Sequence, residues 1–368
     1  MLGGNKEPAV TEEQVLNALR KVIDPDLGRD VVSLGMIKDL KIDGSTVSFT
    51  FELTTPACPL KDQLTKAVHD AAASVPGVES VKVKQSAQVK EDARIELKLN
   101  APIRNVIAVS SGKGGVGKST VAVNLAIALA RWGAKVGILD ADIYGPNVNI
   151  MLGVSGTPMV ENKKLVPLRA YGLQVMSIGF LVPPGEALLW RGALLHSAVK
   201  QFLEDVAWEE MDYLVVDMPP GTGDTHLSLA QLIPVTGGVV VTTPQTVALA
   251  DSTRATAAFK KLKVPVLGII ENMAGDIFGQ GGGELAAQKL QVPFLGRIPL
   301  DPAVRIGGDT GQPILVSNPD SETAKVFLDL ASKIAMELSK LNVERPEPSK
   351  EERMANMKLN IGPGVGTH

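Results

Sequence analysis

The stretch Asn105–Gly133, NVIAVSSGKGGVGKSTVAVNLAIALARWG, decides the fold. Its first seven residues form a short segment with an apolar, β-branched centre at Val106–Val109, the pattern of a buried parallel strand. From Ser119 onward the apolar residues continue all round at helical length and stop at Gly133, a helix with a glycine end. Between them, Gly112, four residues and then Gly117-Lys118-Ser119 match G-x-x-x-x-G-K-[ST]. Strand, glycine loop and helix together aim backbone N–H groups and a helix N-terminus at phosphate. Gly112, Lys113, Gly114, Gly115, Val116, Gly117, Lys118, Ser119 and Thr120 are therefore the expected phosphate cradle. Lys118 is expected on the β- and γ-phosphates of a nucleoside triphosphate, and the Ser119 hydroxyl on Mg2+. A glycine-rich turn that matches by chance would lack the flanking strand and helix. The pattern leaves one residue unexplained, because it needs a single lysine and Lys113 is a second.

Outward from this loop, strands alternate with helices. Lys135–Asp140, Leu173–Ile178, Asp212–Asp217, Gly237–Thr243, Val264–Ile270 and Pro293–Ile298 read as further strands, most of them near-continuous apolar runs. Right-handed crossovers then predict an α/β fold with a doubly wound, mainly parallel sheet. A helix over about Ser321–Leu341, with Val326, Phe327, Leu330, Ile334 and Leu338 on one stripe, is expected to pack on it. Ligands of such sheets sit at the carboxyl ends of the strands. LDADIYGPN places Asp140 and Asp142 there, and VVDMPPGTGD places Asp217 where it would support Mg2+ through its water shell. Gly221, Thr222 and Gly223 follow as a loop suited to sensing a γ-phosphate. IIENM puts Asn272 where it could read the adenine edge of ATP. A single aspartate at a strand end is ordinarily a cap or a solvated turn. That bland reading is preferred for Asp251, Asp301 is a weak candidate, and His226 reads as structural.

The segment before the loop differs in kind. TEEQVLNALRKVI opens with a capping box of Thr11 and Gln14, TVSFTFEL alternates like a half-exposed strand, PLKDQLTKAVHDAAASV is an amphipathic helix and GVESVKVK a further strand. The expected organisation is a small α+β domain over 8–86, a polar linker over 87–104, the nucleotide-binding domain over 105–342 and a disordered tail over 343–368.

Composition bounds the function classes. The 368 residues carry a net charge of −3, so no basic footprint points to nucleic acid. No apolar run approaches the ~20 residues that span a bilayer, and the N-terminal stretch has no signal-peptide core. The single cysteine, Cys58, excludes an intrachain disulfide framework and fits a reducing cytoplasm.

The motifs KGGVGKST, DADIYGPN, DMPPGTGD and ENM together resemble the deviant Walker A ATPases, and within them the Mrp/ApbC-type iron–sulfur cluster carriers. WRGALLHSAVKQFLEDVAWEEMDYLVVDMPPGTGD extends the likeness, which covers about Asn105–Leu341. DPDLG and TTPACP in the N-terminal unit resemble the small iron–sulfur assembly domain that often precedes such ATPases. The resemblance implies an ATP-hydrolysing homodimer, with Mg2+, that delivers clusters to apo iron–sulfur proteins alongside assembly factors. It implies that ATP is sandwiched between two subunits and that Lys113 reaches across to the partner's phosphates, as an arginine finger does. It also implies that Asp142 positions or activates the attacking water.

The sequence departs from this family at one point. Many members carry C-x-x-C shortly after ENM, giving a dimer four thiolates for one 4Fe–4S cluster, whereas Ala274–Glu284 contains no cysteine. Cys58 is then the one thiol left: by default a lone cysteine is a small buried hydrophobe, and the ligand reading rests on its match to the small domain's cysteine and on a helix N-terminus that could lower its pKa. Two such thiolates per dimer fall short of the four that clusters usually take, so a bound cluster of the 4Fe–4S type would be labile. Three other readings stay open. One is an ATPase scaffold in cluster assembly that holds no cluster itself. The others are a ParA-like positioning ATPase, which needs a basic DNA-binding face, and a MinD-like switch, which needs a C-terminal amphipathic helix.

Overall fold

The protein is described by a computed structural model, which covers residues 10–98, 101–142, 145–180, 192–221, 229 and 231–345. Thr222, Gly223, His226 and the tail beyond residue 345 lie outside the described residues. Packing divides the chain into two units: Met1–Lys90 with Ser339–Val343, and Glu91–Leu338 with the remaining C-terminal residues.

In the first unit, Thr11 caps the helix Glu12–Leu19 in a complete capping box with Gln14. Thr46–Leu53 alternates half-buried and buried side chains, as its sequence pattern requires, and pairs in parallel with Ser80–Ala87. Its other edge pairs antiparallel with Ile37–Asp43, a strand the sequence reading did not find. IKDLKID is mostly lysine, aspartate and half-buried aliphatics, so it carries little apolar signal. Leu64, Val68 and Ala72 of the helix Lys61–Ala73 close the core together with Phe49, Phe51 and Cys58.

The second unit is built on an eight-stranded sheet in the order Leu168–Ala170, Leu173–Ser177, Val136–Asp140, Met211–Asp217, Ile103–Ser110, Gly237–Thr242, Val266–Ala274 and Phe294–Pro299. All neighbouring pairs are parallel except the first, an antiparallel edge absent from the sequence reading. Every residue of Val136–Asp140 and Leu173–Ser177 is buried, so both strands are mainly apolar, and their polar residues Asp140, Gln174 and Ser177 are hydrogen-bonded. The C-terminal helix, expected over about Ser321–Leu341, runs Glu322–Glu344 and so takes in the first residues of the expected tail; Leu330 on it lies against Gly296 of the edge strand. The polar connector contains a short helix, Ala93–Lys98. Just before it, Asp92 is bound by Arg94 and Arg345. Among the described residues no helix is long and apolar enough to cross a membrane.

Candidate functional site

The loop strand Ile103–Ser110 lies between Met211–Asp217 and Gly237–Thr242, and its chain leaves directly into the glycine loop. Gly115 and Gly117 have φ of +79° and +82°, a region that side chains with a Cβ rarely enter. A Cβ on Gly112 would lie 2.1 Å from the carbonyl oxygen of Asp251, so the loop packs directly on the backbone of the helix Thr246–Lys261. Asp251 therefore sits inside that helix and pairs with Arg254, which corrects the expectation that it is a cap. Asp301 does cap a helix: it accepts from the N–H of Ala303 at 2.8 Å.

Lys118 begins the helix Lys118–Arg131, and its side chain is buried at 6 % exposure. Its ammonium makes a short ion pair with Asp217, donates to Ser119 Oγ at 3.2 Å and lies 3.5 Å from Asp142 Oδ2. The strand register explains how residues so distant in sequence meet. Asp217 and Ser177 both lie in register with Asp140, so three strand ends stand in one row at the mouth of the loop. Asp140 accepts from the N–H of Asp142 at 3.1 Å, from that of Val148 at 3.2 Å and from Ser177 Oγ at 2.9 Å. It thus shapes the turn that carries Asp142. Ser177 escaped the sequence reading, although its place at the end of the third strand was a usable signal.

The electrostatics follow from burial. Asp140 is pushed up to about 7, first by loss of water and then by the charge of Asp217. Burial also raises Asp142 and Asp217, while Lys118 opposes that rise at both. One Asp217 oxygen, Oδ2, is buried with no partner among the described residues. With the Ser119 hydroxyl beside Lys118, this supplies hard oxygen donors of the kind that suits Mg2+.

Lys113 is half-buried on the loop, and its carbonyl accepts from Ser111 Oγ at 2.9 Å. Thr120 and Val116 lie where the loop pattern expects them, Val116 buried and Thr120 on the first helical turn. Asn272 stands at the end of Val266–Ala274, and its amide donates to the carbonyl of Val116 at 2.8 Å. Its neighbour Glu271, buried at the end of the same strand, accepts from the N–H groups of Gly281 and Gly283 and from Arg297.

Cys58 is far from this row in sequence and belongs to the hydrophobic core of the first unit. Burial raises its thiol pKa, which corrects the expectation of a thiolate favoured by a helix N-terminus. Among the described residues no group of three or more histidine, cysteine or acidic side chains could hold a metal ion.

Residues 102–335 match the family described as NUBPL iron-transfer P-loop NTPase, and residues 12–84 match the iron–sulfur cluster assembly protein family. The chain is 48 % identical to an iron–sulfur cluster carrier protein of Synechocystis over 90 % of this chain and 98 % of that protein. It is 43 % identical to the chloroplastic Fe–S cluster assembly factor HCF101 of Oryza sativa, over 90 % of this chain and 65 % of that longer protein. Among solved structures, an ADP-bound nucleotide-binding protein of Archaeoglobus fulgidus superposes with a TM-score of 0.54 at 37 % identity, covering 62 % of this chain and 92 % of that one. The cell division ATPase MinD of Pyrococcus furiosus superposes with a TM-score of 0.52 at 27 % identity, covering 62 % and 98 %. The family match over residues 102–335 and the 48 % identity to a carrier protein along nearly the whole chain show that the chain belongs to the iron–sulfur cluster carrier family of P-loop NTPases.

Proposed function

We propose that this protein hydrolyses ATP as a homodimer and carries iron–sulfur clusters to apoproteins. The observation that carries the reading is the buried network joining Lys118 to Ser119, Asp142 and Asp217 at the mouth of the glycine loop. In this reading the loop N–H groups and Lys118 bind the triphosphate, and Asp142 orients the attacking water. Ser119 and, through the ion's water shell, Asp217 would hold Mg2+, which would supply positive charge against the phosphates. Lys113 acts from the partner subunit on the charge that develops during transfer. Asn272 is expected as an adenine contact, and its observed hydrogen bond to Val116 supports a further task, taken up below. The likeness to bacterial carriers supports a cytoplasmic location.

The cluster is cargo, and Cys58 is the only thiol available to it. With its thiol buried and held protonated, ligation there requires the turn Thr54–Pro59 to open, which suits transient rather than resident binding. The same burial favours a second reading, an ATPase scaffold that never holds a cluster. Anaerobic reconstitution of wild type and Cys58→Ala, with iron, sulfide and visible absorbance measured, separates the two. Bound cluster in wild type and its loss in the variant, with ATPase activity kept, is the result expected of a carrier. No cluster in either protein supports the scaffold, and equal cluster in both makes Cys58 a packing residue.

A further inference from the structure

The glycine loop has a brace from outside itself. Asn272 is 6 % exposed, and its Nδ2 donates to the carbonyl oxygen of Val116 at 2.8 Å. A Cβ on Gly117 would stand 2.2 Å from that same nitrogen, so the amide lies flat against the loop at its tightest point. The strand end is shaped for this. The pairing of Val266–Ala274 with the edge strand shifts register between Glu271 and Ala274, and Met273 takes a φ of +59°. Such irregularities re-aim side chains next to functional sites.

The consequence lies in the peptide plane. The Val116–Gly117 peptide is trans, as are all peptides among the described residues. In a planar trans peptide the C=O and N–H point in opposite directions. Fixing the Val116 carbonyl toward Asn272 therefore turns the Gly117 N–H the other way. Gly117 is the N-cap of the helix Lys118–Arg131, with φ +82° and ψ +25°, and its own carbonyl accepts the first helical hydrogen bond, from Val121 at 2.9 Å. Gly117, with no Cβ, tolerates more than one orientation of this peptide on its side. Something else must hold it.

We propose that Asn272 is a positioning residue for the phosphate loop: it locks the Val116–Gly117 peptide so that the Gly117 N–H faces the phosphates. Its task is then preorganisation of the anion site, which one N–H of the amide performs while its oxygen and second N–H keep their own hydrogen-bonding capacity. This inference rests on the reading of Gly112–Thr120 as the ATP loop, and it predicts a loss of affinity blind to the base.

The test uses the full chain with Asn272→Ala and Asn272→Asp, titrated with ATP, GTP and inorganic tripolyphosphate. Each variant is expected to weaken all three ligands by the same factor, about tenfold for one lost hydrogen bond, with the binding stoichiometry unchanged. Weaker ATP binding with GTP and tripolyphosphate unaffected would make Asn272 a base reader and overturn the proposal. Unchanged affinity for all three would overturn it as well. So would a reduced stoichiometry at unchanged affinity, which reports damaged protein instead of a misplaced peptide. Lys118→Ala in parallel separates this from the reading beneath it. If Lys118→Ala binds all three ligands like wild type, the loop is not the phosphate site.

Discussion

Lys118 carries two duties that pull apart on substitution. In the proposed function it binds the phosphates, and in the structure it is the cation beside two buried carboxylates, Asp142 and Asp217. Lys118→Ala is expected to abolish ATP binding. It should also destabilise the ligand-free protein by ~3 kcal/mol near neutral pH, the scale of breaking a buried ion pair from one side. The sign with pH is definite. Without the ammonium, the main force opposing burial at Asp142 and Asp217 is gone, and both rise further above their unfolded values. The folded variant then binds more protons than the unfolded chain, so its stability falls as pH rises above the unfolded carboxylate range. Urea unfolding at pH 5 and pH 8 should show a larger gap between variant and wild type at pH 8. An equal gap would mean that these carboxylates do not depend on Lys118. Cys58 tests the opposite residue class. Its thiol is raised by burial, so iodoacetamide should modify it slowly in the folded protein at pH 8 and rapidly in urea.

At the scale of elements, the strand Val266–Ala274 works on two sides at once. Asn272 faces the glycine loop, while Glu271 gathers Gly281, Gly283 and Arg297. Glu271 thereby seats the start of the helix Gly282–Leu290, where a Cβ on Gly282 would come within 2.3 Å of the Pro244 carbonyl oxygen. The intervening turn, closed by a bridge between Gly275 and Gly279, lies where many relatives were expected to carry C-x-x-C. It bears Ile277 and Phe278 exposed instead. Glu271→Ala should cost ~3 kcal/mol, because it leaves two backbone donors and a guanidinium without their acceptor. Glu284→Ala, which removes a half-exposed partner of the same arginine, should cost no more than ~1 kcal/mol. Denaturant unfolding of both variants checks the order, and equal losses would deny Glu271 its seat. The sequence made the loop, the parallel strands and their acidic ends legible, because continuous apolar runs and a fixed motif spacing are local signals. Ile37–Asp43, Leu168–Ala170 and Ala93–Lys98 were not legible, being short, polar or at an edge. The partners of Asn272 and Lys118 were hidden for another reason. They lie 156 and 99 residues away along the chain, and only the strand order brings them together.

At the scale of the molecule, the remaining matter is whether one chain holds a complete site. Lys113 is half-buried on the loop, and no carboxylate among the described residues forms an ion pair with it, while Lys118 takes Asp142 and Asp217. A cation placed this way adds nothing to its own network and is free to serve another. If it serves the partner's phosphates, Lys113→Ala should bind ATP much as wild type does. Its turnover should fall by about a thousandfold, the lower range for losing an arginine-finger-like charge. Asp142→Ala should be equally inactive for a different reason. Mixing the two variants distinguishes action across the dimer from action within a chain. In a mixed dimer the Lys113→Ala chain keeps its own Asp142 and receives an intact Lys113 from its partner. The other site lacks both. Random exchange at equal amounts makes half the dimers mixed, and each has one good site of two. About one quarter of the wild-type rate should therefore return, as a two-fold symmetric interface with shared sites requires. Should Lys113 act within its own chain, neither site of the mixed dimer is whole. The mixture would then stay as inactive as its components, even with mixed dimers confirmed by mass.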